Sequence, residues 1–173
     1  MDAMPAPARK EPITSKLPDF ESALYQMLRA AARDATRLAY CPYSRFPVGA
    51  ALLATGGTIW SGANFETVTL SQTIHAEEVA LSAAISGGVF TNATPGSDAW
   101  FNAIEALAVY APKSSGLWPC GNCRATLSEV FRNQVIIAIT GSGDDDFKVV
   151  RFNALIPFPM GCAEVLSSLR PNG

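Results

Sequence analysis

The chain is 173 residues long, with only 16% charged residues, a formal net charge of -2, one histidine and four cysteines. That length suits a single domain of about 100–200 residues with its own core, and the sparse, interspersed charge offers no basic surface for a nucleic acid backbone. No uninterrupted apolar run of about 18 residues is present to span a membrane.

Residues 1–18 are Pro/Ala-rich, carry Arg9, Lys10, Glu11 and Lys16, and lack the apolar run of a signal peptide. They read as a disordered arm ahead of a single domain at 19–173, with a cytoplasmic location expected. From Asp19 to about Tyr40, the apolar positions Phe20, Leu24, Met27, Leu28, Ala31, Ala35 and Leu38 recur at helical spacing until Pro42 ends the pattern. Phe46–Thr55 reads as a strand, Gly56-Gly57 as a tight turn and Thr58–Phe65 as the hairpin partner. An alanine-rich helix is expected over Thr73–Ser86, closed by Gly87-Gly88.

Thr91–Asn102 reads as a surface loop, and Ile104–Ala111 as a strand buried on both faces. A third helix is expected to start near Pro119. Val135–Thr140 and Phe147–Phe152 are further strands joined by an acidic turn, and a short helix from about Gly161 finishes the chain. Strands alternating with helices after an opening hairpin imply an α/β domain with a mixed sheet and helices on its faces.

The chemistry is concentrated in His75-Ala76-Glu77 and Pro119-Cys120-Gly121-Asn122-Cys123. H-x-E followed by P-C-x-x-C is the pattern of zinc-dependent base deaminases. Zinc favours thiolate and imidazole ligands in tetrahedral geometry, and a catalytic site uses three protein ligands with the fourth position open to water. His75, Cys120 and Cys123 are three such ligands. Side chains two apart on a helix point to different sides, so His75 and Glu77 converge only at a helix end. Pro119 argues likewise for a helix start at Cys120 and Cys123, and two positive helix ends would favour both thiolates. Glu77 is then the proton carrier, and its neighbour Glu78 reads as a solvated helix carboxylate. Cys41 and Cys162 read as small buried hydrophobes; either is also the possible fourth ligand of a purely structural zinc site.

From these residues outward, the chain resembles the cytidine deaminase family of small homotetrameric type over roughly Asp19 to Leu166. Ala39-Tyr40-Cys41-Pro42-Tyr43-Ser44-Arg45-Phe46-Pro47-Val48-Gly49-Ala50-Ala51-Leu52 is similar to that family's first strand and its approach. Gly62-Ala63-Asn64-Phe65-Glu66 resembles its N-x-E element, and Leu155-Ile156-Pro157 with Met160-Gly161 its C-terminal segment. The resemblance implies a three-layer α-β-α fold with a mixed five-stranded sheet, one Zn2+ per subunit, and a homotetramer whose sites are completed by neighbours. It implies deamination of cytidine and deoxycytidine to the uridines, with loss of ammonia, as in pyrimidine salvage.

By the same resemblance, Asn64 and Glu66 bind the ribose 3′-hydroxyl, Phe46 lines the pocket, Ala76 offers backbone contacts to the base, and Arg124 donates to a ligand sulfur. The chain departs from the family at Glu78, where members with three cysteine ligands often have Arg, at Leu70, where many have Tyr, and at Met160, where they have Phe. Those last two changes leave N4-modified cytosine nucleosides or a nucleoside antibiotic as an alternative substrate class. A non-catalytic zinc-stabilised assembly protein is a further alternative.

Overall fold

The computed structural model describes residues 18–143 and 146–156. The arm, apart from Pro18, together with the helix expected from Gly161, Met160 and Cys162, lies outside the described residues. The elements are α1 (Ala23–Ala35), β1 (Gly49–Ala54), β2 (Ile59–Ala63), α2 (Ala76–Ser86), α3 (Asp98–Phe101), β3 (Ile104–Tyr110), α4 (Gly121–Leu127), β4 (Val135–Ile139), β5 (Phe147–Arg151) and α5 (Phe152–Leu155). One sheet runs in the order β2-β1-β3-β4-β5. Only β3 and β4 pair in parallel, and the other neighbours are antiparallel. Among the described residues, no helix is long and apolar enough to cross a membrane.

Alternation along the strands feeds two cores. Ala51, Leu53, Ala106, Ala108 and Ile137 meet Tyr25, Leu28 and Ala32 of α1 on one face. Ala50, Leu52, Leu107, Val109 and Ile136 meet Ala76, Ala80 and Ala84 of α2 and Leu127 of α4 on the other. Strands covered on both faces read as continuous apolar runs, which is why β1, β3 and β4 are legible in the sequence. The result is the expected three-layer α-β-α arrangement.

The first helix departs from its expected stripe. It runs from Ala23 to Ala35 and tightens into a 3-10 turn at Thr36–Leu38; Leu38 in that turn is 79% exposed, and Met27 within α1 is 59% exposed. Arg29 takes a buried place instead, with its Nη1 donating to the Phe20 carbonyl at 2.8 Å and its guanidinium stacked 4.3 Å over the Phe147 ring. The expected loop at 91–102 contains α3, whose first turn is capped by the Ser97 hydroxyl accepting from the Trp100 N–H.

Register places the site. Gly49 sits opposite both Ala63 and Tyr110, and Tyr110 sits opposite Ile139, so one row crosses the sheet where β2 and β3 end and β1 begins. The segments leaving that row lead into α2 and α4. The helix α2 also approaches β2 closely: a Cβ at Gly62 would lie 2.4 Å from the Ala80 nitrogen and 2.8 Å from the Ala76 oxygen. Gly62→Ala therefore pushes α2 away from the sheet. Overpacking of this kind costs about 1–3 kcal/mol, so we expect a lower thermal midpoint and less bound zinc. An unchanged midpoint with full metal content would show that the contact yields without moving α2.

Candidate active site

The start of α2 resolves the spacing problem posed by H-x-E. His75 is not helical: it occupies the cap position with extended backbone, φ -78° and ψ 155°. Its approach is held by paired hydrogen bonds between Phe65 and Ile74, at 2.9 and 3.0 Å. Glu77 then lies in the first helical turn. At the other helix Cys120 is the extended cap residue, φ -69° and ψ 174°, and Cys123 follows in the first turn. Both metal-binding segments are therefore helix starts, as the sequence requires.

Three donor atoms converge. His75 Nδ1 lies 3.2 Å from Cys123 Sγ and 3.3 Å from Cys120 Sγ, and the sulfurs are 3.6 Å apart. Tetrahedral zinc, with bonds of about 2.3 Å to sulfur and about 2.0–2.1 Å to nitrogen, sets such donors roughly 3.5–3.8 Å apart. The donor set and its spacing fit zinc. The chemistry of Cys123 agrees: burial, with Glu77 and Cys120 beside it, pushes its thiol far up, so a bound cation is what makes it a thiolate. Cys41 is half-buried and unpaired, and stands outside this cluster of three.

Glu77 is 4% exposed, and burial raises its carboxyl above the usual range against the opposing pull of its own backbone N–H, His75 and Cys123. A cavity of about 360 Å³ opens in front of it, within the roughly 300–1,000 Å³ typical of small-molecule sites. It brings together Phe46, Asn64, Glu66, His75, Ala76, Glu77 and Cys120. Leu117 and Trp118 complete the wall. Sequence reasoning missed both, although their position just before Pro119 was a usable signal. Residues 91–102 do not line this cavity, and neither does Leu70, which is 59% exposed.

Two of the named polar residues also hold the fold. Asn64 Oδ1 accepts from the Val48 N–H at 2.8 Å and its Nδ2 donates to the Phe46 carbonyl at 3.1 Å, which leaves one N–H and one lone pair free for a ligand. Glu66 Oε2 accepts from the Tyr43 and Ser44 N–H groups at 3.0 and 3.1 Å. The Ser44 hydroxyl, then these backbone bonds, hold its carboxyl below the usual range. The turn that presents them includes Arg45, whose φ of 55° is left-handed backbone seldom adopted outside glycine.

Arg124 spends two of its N–H groups on backbone carbonyls. Its Nε donates to the Pro119 carbonyl at 2.7 Å and its Nη1 to the Leu155 carbonyl at 3.0 Å. The guanidinium braces the backbone just before Cys120.

Comparison with known proteins agrees with this geometry. The family model for the cytidine and deoxycytidylate deaminase zinc-binding region matches residues 22–139. A cytidine deaminase of Sporosarcina psychrophila is 38% identical over 120 residues, covering 69% of this chain and 79% of that protein. One from Mycobacterium tuberculosis strain H37Rv is 33% identical over 145 residues, covering 84% of this chain and 93% of that protein. The crystal structure of cytidine deaminase from Burkholderia pseudomallei superposes with a TM-score of 0.66 at 29% identity, covering 79% of this chain and 98% of that one. The ligand geometry and the sequence match point the same way, and the chain belongs to the cytidine and deoxycytidylate deaminase zinc-binding family.

Proposed function

We propose that this protein hydrolyses cytidine and deoxycytidine to the corresponding uridines, releasing ammonia, in pyrimidine salvage. The observation that carries this reading is a buried Glu77 beside three zinc ligands in a cavity whose wall also carries Asn64 and Glu66. Bound at His75, Cys120 and Cys123, zinc supplies Lewis acidity that makes water reactive near neutral pH. Glu77 would take one proton from the attacking water and deliver it to the ring nitrogen, then take the second from the hydroxyl added to the ring carbon and deliver it to the departing amine. Phe46, Leu117 and Trp118 exclude bulk water from the base, and the free valences of Asn64 with the Glu66 carboxylate receive the sugar hydroxyl. A purely structural zinc site would not need a buried carboxyl facing an open cavity.

The surface near the cavity supports a homotetramer. Tyr40 stacks on Phe65 with ring centroids 5.4 Å apart, Ile74 bridges to Phe65, and all three are half-exposed. With Val68 and Leu70 also exposed, this apolar surface is suited to contact with neighbouring copies that complete the site. A cytoplasmic location fits thiols that must stay reduced to bind metal.

The test follows conversion of cytidine to uridine by ultraviolet absorbance, using zinc-loaded protein and its Glu66→Ala variant. The unaltered protein should turn over cytidine. Losing a charged hydrogen-bond acceptor worth about 1.5–3 kcal/mol should reduce kcat/KM for cytidine about 10- to 100-fold, with a much smaller loss on free cytosine. Equal losses on both would confine Glu66 to holding the Tyr43-Ser44 turn, and a zinc-loaded protein inert towards cytidine would overturn the reading.

A further inference from the structure

The sequence offers Glu78 as a solvated carboxylate at the start of α2, yet its two oxygens serve two different helices. Oε2 accepts from the backbone N–H of His75 at 3.1 Å. Oε1 accepts from Asn122 Nδ2 at 2.7 Å and from the Thr126 hydroxyl at 3.1 Å. His75 is one zinc ligand; Asn122 stands between the other two, Cys120 and Cys123, and Thr126 follows them on the same helix. We infer that Glu78 is a positioning residue for the metal centre, tying the backbone of one ligand to the helix that carries the other two. The inference rests on the metal centre of the proposed reading and is independent of the substrate.

Charge balance gives Glu78 no task here, since zinc with two thiolates and a neutral imidazole is already neutral. Geometry does give it one. Good metal sites tolerate only about 0.2 Å in their bond lengths, and the three ligands come from the starts of two separate helices, α2 and α4. A carboxylate in the first turn is favoured by the unpaired N–H groups and the positive end of α2. Hydrogen bonds to an ionised acceptor are shorter and roughly twice as strong as neutral ones. A pull on Asn122 is transmitted through the backbone to cysteines on both sides of it, so one side chain sets the separation of all three donors.

The experiment measures zinc release into an excess of a coloured chelator, and the visible absorption of cobalt-loaded protein, for Glu78→Ala, Glu78→Gln and Asn122→Ala. Glu78→Ala should release zinc about 10- to 100-fold faster, the range found when outer partners of metal ligands are removed, with altered cobalt bands. Glu78→Gln should restore most of the retention, because its amide oxygen still accepts from His75 and Asn122 can turn its own oxygen towards the new amide. Asn122→Ala, which leaves the bond to His75 intact, should also speed release. Release at the unaltered rate in both Glu78→Ala and Asn122→Ala overturns the inference. So does faster release in Glu78→Ala alone with an unchanged cobalt spectrum, which marks a cap of α2 and nothing more. If Glu78→Ala does not fold, Asn122→Ala decides by the same criterion. Metal retention is read without any nucleoside, so failure here and failure of the cytidine assay are separate results.

Discussion

Glu77→Gln should retain zinc and fold yet lose turnover by about 10²–10⁴-fold or more. General acid-base catalysis contributes about that range for a single positioned group, and in the proposed reaction one carboxyl serves the attacking water, the ring nitrogen and the leaving amine in turn. The amide matches the carboxylate in size, so the 4% exposed position stays filled, but it cannot carry a proton between those atoms. Removing the ionisable group also removes the desolvation that raises the Glu77 carboxyl, so stability should hold or rise. Metal analysis, a thermal melt and the cytidine assay on the same preparation check all three parts. Near-normal turnover would remove Glu77 from the mechanism.

His75→Ala should lose both zinc and activity. The site has three protein donors, and removing the imidazole leaves only two for an ion that takes four ligands. The loss of metal affinity should exceed the roughly 10- to 100-fold typical of an outer partner. His75 has extended backbone at the helix cap, a conformation alanine also adopts, so the backbone can keep its path, and the variant should lose the metal together with the stability that metal binding supplies. Measured zinc per chain separates the cases. Full occupancy in this variant would mean that the ligand lies elsewhere.

Much of this site was legible because its chemistry is written in local spacing. The requirement that His75 and Glu77 sit at a helix end follows from side-chain directions alone, and the extended backbone of His75 meets it. The buried strands were legible from continuous apolar runs. Arg29 was not, because its burial depends on the Phe20 carbonyl and on the Phe147 ring, which comes from β5, far along the chain. Glu78 was misread for the same kind of reason: its partners Asn122 and Thr126 belong to a helix distant in sequence. Trp118 and Leu117 look like ordinary apolar residues until the fold turns them towards Glu77.

The convergence of His75 with Cys120 and Cys123 also makes the ion a cross-link. It closes the long stretch of chain between α2 and α4, including β3 at the centre of the sheet, and so restricts the ensemble available to the unfolded polypeptide. Whatever binds the native chain and not the unfolded one stabilises it by mass action, by about 4 kcal/mol when free ligand is 1,000-fold above its dissociation constant. The lifetime of this polypeptide is thus coupled to the zinc supply of its surroundings. Scarcity of metal removes the activity and, with the same ion, the brace that ties α2 to α4 on one face of the sheet.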